Sequence, residues 1–226
     1  MTGGSKEHAR WSETKALIGE ECITLGPYFT YHVKHTPRHI LHSMSYHKFA
    51  AKMIGKGKRV LEVGCSEGFQ TVLLAEFAQY CCGVDVDEAA IASANKTFAR
   101  ENLEFRVSDI MECSVGEFDA ATSFDVIEHI YPANEDRFVG AVANHLTEHG
   151  MAIIGTPNIT ADQFASPITR SGHVNLYSME RLEATLLRHF HHALMFAAND
   201  EVVHTGFAQM AHYLIGIGIA PRRDAT

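Results

Sequence analysis

Short apolar runs alternate with amphipathic stretches through the middle of the chain. The apolar runs predict strands, and the stretches between them have helical spacing, so the pattern favours a parallel, doubly wound α/β sheet. The predicted strands cover residues 59–63, 80–85, 103–107, 118–126 and 151–155. Predicted helices follow the first, second and fourth strands, and the last of them runs from residue 134 to 149 with Gly150 as its stop signal.

The two ends of the chain depart from this alternation. Residues 1–56 have helical periodicity without a strand pattern, and they predict a helical cap that forms one compact domain with the α/β region, 57–226. Residues 156–177 form a long polar connection, followed by a helix and two strand-like runs at 193–198 and 209–219. Because no helix separates these late strands, they predict a closing hairpin with an antiparallel strand.

Composition narrows the class of protein. The chain has 226 residues and a formal net charge of −8, which argues against a nucleic-acid binder because such proteins gain affinity from Lys and Arg at phosphates. Five scattered cysteines without a Cys-x-x-Cys pair, and no apolar run near 18 residues, predict a cytoplasmic protein with reduced thiols and no membrane association. Fifteen histidines are unusual, and they fit metal binding, proton transfer or no function at all.

A glycine loop directly follows the first predicted strand. Residues 64–68 read Gly-Cys-Ser-Glu-Gly, a loop that lets backbone approach a ligand at a helix N-terminus. The loop lacks two of the three glycines of a dinucleotide fingerprint. It also matches Gly-x-Ser-x-Gly, which would make Ser66 the nucleophile of a serine hydrolase with Asp200 and His204. The segment before it lacks the strands and oxyanion-hole loop that a hydrolase needs, so this alternative is remote.

Four motifs stand in order along the predicted strands. They are Val-Leu-Glu-Val-Gly-Cys-Ser-Glu-Gly at 60–68, Gly-Val-Asp at 83–85, Ser-Asp-Ile at 108–110, and the run from Phe118 to His129. Together they resemble the class I S-adenosylmethionine (SAM)-dependent methyltransferases, with Ser66 departing from the family's usual glycine. The resemblance covers about residues 57 to 155. It implies a single Rossmann-like sheet, SAM as the cofactor and methyl transfer as the activity.

The resemblance also implies a cofactor site. Glu62 would meet the SAM amino group, because a carboxylate inside a strand is costly unless paired. Asp85 would accept the ribose hydroxyls or else cap the next helix, and Asp109 would lie near the adenine amine or simply form a turn. Tyr28 would fold over the sulfonium or pack against the sheet. The expected cofactor contacts are Glu62, Gly64, Ser66, Gly68, Asp85, Asp109, Phe124 and Tyr28.

The methyl acceptor is expected at the same edge of the sheet. His129 follows the fourth strand and His173 lies in the connection after the fifth, where open α/β sheets bind ligands. A hydroxyl acceptor benefits from a general base, so His129 and His173 are the candidate catalytic residues. We expect a small-molecule acceptor (a sugar, sugar phosphate or secondary metabolite) that accepts methyl on oxygen rather than nitrogen.

Two alternatives stay open for this edge. Asp125, Glu128, His129 and His173 resemble the ligand set of metal-dependent O-methyltransferases that act on RNA 3′ ends or on phenolic quinone precursors, where a divalent ion activates the acceptor hydroxyl. A metal is not favoured, because Asp125 stands where the RNA enzymes have Glu and the chain lacks a basic surplus. The other alternative is a SAM-binding module without catalysis. The polar residues 199–206 have no predicted role beyond a turn or the rim of a pocket.

Overall fold

The computed structural model describes residues 5–223, in which one mixed sheet forms the centre of the molecule. Its strands are β1 (Arg59–Val63), β2 (Tyr80–Asp85), β3 (Leu103–Val107), β4 (Phe118–Phe124), β5 (Leu146–Pro157), β6 (Phe190–Asn199), β7 (Val202–His204) and β8 (Tyr213–Pro221). Their order is β3-β2-β1-β4-β5-β8-β6-β7. The first five pair in parallel, and β8 lies antiparallel between β5 and β6. The predicted Rossmann-like sheet with a late antiparallel strand is confirmed.

Helices cover both faces of this sheet. The helices of the described chain are α1 (Lys6–Ile18), α2 (Pro27–His35), α3 (Pro37–Ile54), α4 (Thr71–Phe77), α5 (Glu88–Phe98), α6 (Glu135–Asn144), α7 (Pro167–Gly172) and α8 (Met179–His189). Helix α1 is exposed along its whole length and covers neither face. Neighbouring β1 residues point to opposite faces, and both are buried: Val60 packs in the core with α3, and Leu61 in the core with α6 and α8. Burial on two faces explains why β1 reads as a continuous apolar run interrupted only by Glu62.

The helix predicted through residue 149 is wrong at its end. Helix α6 ends at Asn144, and β5 begins at Leu146, which is fully buried opposite Phe118 of β4. His145 makes the turn, because its Nδ1 donates to the backbone oxygen of Ala141 at 2.7 Å. Gly150 is therefore a strand residue instead of a helix stop, and burial of Leu146 overrides the local helical pattern.

The late strands differ from the predicted hairpin in their arrangement. β6 and β8 pair antiparallel as expected, but β8 inserts beside β5 and an unpredicted short strand, β7, takes the edge. The connection 156–177 contains α7 and a short 3₁₀ helix, Ile159–Phe164. Across residues 5–223, no helix is both long and apolar enough to cross a membrane.

Candidate active site

Two adjoining cavities lie at the carboxyl edge of the parallel strands. The first, here called the glycine-loop cavity, has a volume of about 430 Å³ and is lined by residues from the loop at 64–66 and the ends of β1, β2 and β4. The second, the histidine cavity, has a volume of about 360 Å³ and is lined by α2, α3, α7 and the start of β8. Their shared wall consists of Tyr28, His39, Ser43, Asp125 and His129. The two cavities therefore adjoin at these five side chains.

Backbone geometry shapes the glycine-loop cavity. Gly64 has φ +80°, and a Cβ at this position would collide with Cγ2 of Val126. The Gly64 N–H donates to the backbone oxygen of Val84 at 2.8 Å, which ties the loop to β2. Ser66 also has positive φ, +48°, and its N–H donates to Oδ2 of Asp85 at 2.8 Å. The loop thus follows a left-handed path that leaves its concave side open.

The two aspartates predicted in this site have different local roles. Asp85 also accepts from the N–H of Asp87 at 3.0 Å, but the N-cap of α5 is Asp87 itself. Asp85 therefore braces the glycine loop, and each of its oxygens retains a lone pair toward the cavity. Oδ1 of Asp109 accepts from the N–H of Met111 at 2.9 Å, so this residue forms a turn while lining the same cavity.

A buried ion pair forms the floor between β1 and α3. Nε2 of His47 lies 2.5 Å from Oε1 of Glu62, and Nδ1 lies 2.7 Å from the backbone oxygen of Ser43. Both ring nitrogens face acceptors, so the imidazole donates from both and carries a positive charge. Burial lowers the pKa of His47, but the Glu62 carboxylate outweighs burial and the pKa is raised. Among the described residues, Oε2 of Glu62 has no hydrogen-bond partner, and Glu62 lines the cavity.

Glu67 joins the glycine loop to helix α2. Its carboxylate accepts from the N–H groups of Tyr28, at 2.9 Å, and Phe29, at 3.1 Å, which are free donors at the start of the helix. Gly26 has no Cβ because one would overlap this carboxylate. Glu67 thereby places Tyr28 at the wall shared by the two cavities.

Of two more residues predicted to contact the cofactor, Phe124 lines the glycine-loop cavity and Gly68 does not. Phe124 lines the glycine-loop cavity and packs its ring 4.7 Å from that of His47, between centroids. Gly68 does not belong to the cavity lining, and a Cβ there would press into the ring of Phe105. Gly68 therefore allows α5 and β3 to approach the loop, and it makes no wall of the cavity.

Two acidic groups stand at the base of the histidine cavity. Asp125 has φ +56°, and its carboxyl lies where the two cavities meet. Glu128 is fully buried, and its Oε2 accepts from the hydroxyl of Thr156 at 3.0 Å. Burial, together with the nearby charge of Asp125, raises the pKa of Glu128 to about 8. Burial also raises the pKa of Asp125, against the opposing influence of Tyr213 and of the surrounding imidazoles.

His129 and His173, the predicted catalytic pair, come together above these acids. Their ring centroids are 5.1 Å apart in an edge-on arrangement. Nδ1 of His129 donates to the backbone oxygen of Gly172 at 2.8 Å, which leaves Nε2 as an acceptor in the neutral ring. Burial and the neighbouring His129 lower the pKa of His173. Potential ligand atoms of Glu128, His129 and His173 all lie within 4.8 Å of one another.

The serine hydrolase triad does not form. Ser66 follows β1, whereas His204 lies on β7, five strands away in the sheet and so about 24 Å distant at ~4.8 Å per strand. Asp200 instead closes the side of the histidine cavity. Its backbone oxygen accepts from the Tyr46 hydroxyl at 3.1 Å, and that hydroxyl lies 3.1 Å from Nε2 of His212. The polar run at 199–206 therefore contributes a turn that buttresses the wall of the pocket.

Solved structures share this fold over most of the chain. The N-methyltransferase NodS of Bradyrhizobium japonicum, in complex with S-adenosyl-L-homocysteine (SAH), aligns with a TM-score of 0.63 at 17% identity, covering 85% of this chain and 92% of that chain. A 1,6-didemethyltoxoflavin-N1-methyltransferase of Burkholderia thailandensis aligns with a TM-score of 0.65 at 15% identity, covering 98% and 92%. At these identities the likeness shows the fold alone.

Sequence comparison identifies the family. Residues 60–150 match a family model described as a methyltransferase domain. A probable SAM-dependent methyltransferase of Mycolicibacterium smegmatis is 30% identical over 119 residues, 52% of this chain and 44% of that protein. Residues 60–150 therefore form a SAM-dependent methyltransferase domain of class I. A ubiquinone biosynthesis O-methyltransferase of Nitrosococcus oceani is 32% identical over 110 residues, 46% of this chain and 45% of that protein. The chain spans less than half the length of these curated relatives.

A buried polar network between α6 and α8 supports the histidine cavity. Glu135, at the start of α6, accepts from Tyr177 at 2.5 Å, Asn175 at 3.2 Å, Arg181 at 2.5 Å and Arg188 at 2.6 Å. Burial raises the pKa of Glu135, but these hydrogen bonds outweigh burial and the pKa is lowered. The carboxylate thus joins α6 to α8 and to the segment just after His173.

The same segment is anchored to the acids of the site. The N–H groups of Val174 and Asn175 donate to the backbone oxygen of Glu128 at 2.9 and 3.0 Å. His173 therefore stands directly before two residues whose backbone is fixed to the neighbour of His129. The geometry of the histidine pair depends on these contacts across 40 or more residues of sequence.

Sequence reasoning missed most histidines of the site. Seven of the fifteen line the two cavities: His32, His39, His42, His47, His129, His173 and His212. Three of the missed ones lie on α3, where spacings of three to five residues place them on adjoining stripes of one helix face. The spacing of these histidines can be seen in the sequence. No motif near them, however, indicates that this face of α3 covers the carboxyl edge of the sheet.

Proposed function

We propose that this methyltransferase moves the methyl group of SAM to a hydroxyl of a small molecule, with His129 as the general base. The observation that carries this proposal is the orientation of His129. Its Nδ1 is committed to the backbone oxygen of Gly172, and the residue lines both cavities. Nε2 is thus free to take a proton where a cofactor and an acceptor would meet. The O-methyltransferase named among the relatives supports an oxygen acceptor.

The glycine-loop cavity has the chemistry that SAM requires. Oε2 of Glu62 is a buried carboxylate oxygen without a partner, suited to an ammonium group. Asp85 offers lone pairs to a ribose diol, and the apolar side chains of Ile110 and Met111 line the wall where a flat base would pack. Tyr28 covers the side toward the acceptor. We assign Glu62, Gly64, Ser66, Asp85, Asp109, Phe124 and Tyr28 to the cofactor side, and Gly68 to packing of the loop.

The residues of the chain then position the acceptor, exclude water and accept a proton. SAM, when bound, supplies a methyl group on an electron-poor sulfur. The shared wall holds an acceptor hydroxyl against the open end of the first cavity, which orients the reacting atoms and removes water. His129 receives the hydroxyl proton on Nε2 while Gly172 holds its other nitrogen. His173 packs edge-on beside His129 and narrows its range of ring orientations.

Label transfer tests the proposal directly. The protein is incubated with methyl-labelled SAM and fractionated small-molecule extracts, and labelled products are isolated. On an acceptor found in this way, His129→Gln is expected to lower kcat about 100-fold or more, because general-base catalysis contributes roughly 10²–10⁴, while the Kd for SAM is unchanged. His191→Gln, an exposed histidine of β6, is the matched control. Undiminished turnover by His129→Gln would refute the role of His129 as general base. Failure of the protein to bind SAM would refute the proposed methyltransferase function.

A metal-assisted version of the same transfer is the second candidate. It is favoured by one observation, the convergence of ligand atoms from Glu128, His129 and His173 within 4.8 Å. Here a divalent cation would activate the acceptor hydroxyl in place of a free imidazole. Dialysis against a chelator, followed by addition of Mg²⁺ or Mn²⁺, distinguishes the two: activity that survives chelation supports the base alone, and activity restored only by metal supports this candidate.

A further inference from the structure

The lining of the histidine cavity combines carboxyl groups with imidazoles. Within the described part of the chain, no Lys or Arg side chain lines it, and its carboxyl groups are those of Asp125 and Glu128. The nearest strong anion site, the N-terminus of α2, is already occupied by the Glu67 carboxylate. A phosphorylated or carboxylated acceptor would therefore enter a cavity that offers it carboxyl groups and no permanent cation, which is unfavourable in a partly buried site.

One buried polar atom of this cavity lacks a partner among residues 5–223. It is Oε1 of Glu128, in a residue with no exposed surface. Burying such an oxygen without a hydrogen bond is unfavourable, and more so where the group is charged. Glu128 lines the histidine cavity, so a bound group that donates a hydrogen bond would satisfy this oxygen.

The lining also contains aromatic faces. Tyr28 and Tyr46 border the cavity, and the ring of Tyr46 stacks on that of Tyr213 with 4.3 Å between centroids. Carboxyl groups next to aromatic rings form the environment that favours an organic ammonium ion, which pairs with the acids and is attracted by the rings. The partnerless acid and the rings are independent observations, and they point to the same ligand chemistry.

We propose that the acceptor is a hydroxylated amine, bound with its ammonium group at Asp125 and Glu128 and its hydroxyl at His129. This rests on the proposed function and narrows it, because acceptors with a phosphate or carboxylate are excluded from the open set of sugars, sugar phosphates and other metabolites. The ammonium donates to the partnerless oxygen of Glu128, and the hydroxyl remains the nucleophile. No covalent step beyond the proposed methyl transfer is involved.

Binding of three matched phenols tests the charge preference. Tyramine is the cation, 4-ethylphenol its neutral counterpart and 4-hydroxyphenylacetate the anion. Each is titrated by calorimetry into the chelator-treated protein, with and without SAH. Tyramine is expected to bind at least tenfold more tightly than 4-ethylphenol, and the anion more weakly than both. Glu128→Gln and Asp125→Asn should each reduce the preference for tyramine, whereas Glu201→Gln, an exposed acid outside the cavity lining, should preserve it.

Contrary outcomes are distinct. The amine proposal is overturned if the three phenols bind equally, if the anion binds more tightly, or if tyramine does not bind at millimolar concentration. It is also overturned if Mn²⁺ binds at Glu128 and displaces tyramine. Because the titration without SAH does not involve methyl transfer, loss of the amine preference leaves the proposed function standing. Failure to bind SAH together with a retained amine preference refutes the proposed function instead.

Discussion

The two cavities are built in different ways. The glycine-loop cavity takes one side of its wall from segments at the ends of the parallel strands and is closed by α2 and α3. Its shape depends on backbone: positive φ at Gly64 and Ser66, and the Ser66 N–H tied to Asp85. The histidine cavity takes its walls from α2, α3, the turn after β4, α7 and the start of β8, and its character depends on imidazole and carboxyl side chains.

This difference separates what the fold provides from what this chain adds. A loop at the end of β1 is positioned by the strand that precedes it, so a short motif is sufficient to specify its geometry. The histidine cavity exists only after distant segments have packed, and in the proposed function its side chains select the acceptor. Function on a common fold resides in such added sites. Changes to the first cavity should therefore abolish cofactor binding, and changes to the second should alter acceptor use while cofactor binding persists.

The largest effect is expected at Gly64. Gly64→Ala places a Cβ on a left-handed residue and against Val126, so the loop must move. We expect the Kd for SAM to rise about 100-fold or more, equivalent to roughly 2.7 kcal/mol, as measured by calorimetry. Gly57→Ala is a matched control, because Gly57 also has positive φ, +72°, but faces open space. Equal losses in the two variants would show that backbone strain, and not the shape of the cavity, sets the affinity.

The second-largest effect is expected at Glu135, which supports the wall of the histidine cavity. Glu135→Ala removes the acceptor of five side-chain donors and leaves Arg181 and Arg188 without this carboxylate. Breaking a buried ion pair by removing one partner costs about 3–5 kcal/mol, and the arginines here are partly exposed, so we expect about 2–3 kcal/mol in the free energy of unfolding by urea titration. Below the transition, the Kd for SAM should stay within about twofold while kcat falls. Asp136→Ala, which removes an exposed partner of Arg188, should cost less than about 1 kcal/mol.

A smaller effect is expected at the link between the cavities. Glu67→Ala removes the cap of α2, for which a cost of about 1 kcal/mol is typical. Because α2 carries Tyr28 to the shared wall, we expect both the Kd for SAM and the KM for the acceptor to rise several-fold. Glu76→Ala, an exposed acid of α4, serves as the control. If only the Kd for SAM or only the KM for the acceptor changes, Tyr28 contributes to one cavity only.

The difference between the two cavities also explains what the sequence could predict. Features built from one local segment were predictable, and features that need distant segments to pack were not. The strands β1, β2 and β3 match their predicted ranges. The first two are short, mostly apolar runs, β3 alternates apolar with charged residues, and a turn ends each of them. The partner of Glu62 was not predictable: His47 is 15 residues away on a helix whose docking depends on the whole sheet. The early end of α6 has a similar cause, since pairing of Leu146 with Phe118 overrides a locally helical pattern. Motifs on strands are local signals, and partners across helices are tertiary ones.

The smallest effect is a titration that tests whether His47 belongs to the first cavity as a charged group. Glu62 raises its pKa above the ordinary value of about 6.5, whereas burial and the nearby His42 lower that of His39. The pair with Glu62 therefore contributes stability that is complete below pH 6.5 and is lost as the pH rises through the raised pKa. Histidine NMR should show His47 still protonated when His39 is neutral, and the Tm difference between wild type and His47→Gln should shrink from pH 6 to pH 9. A neutral His47 at pH 6 would mean that no charged imidazole forms the floor of the glycine-loop cavity.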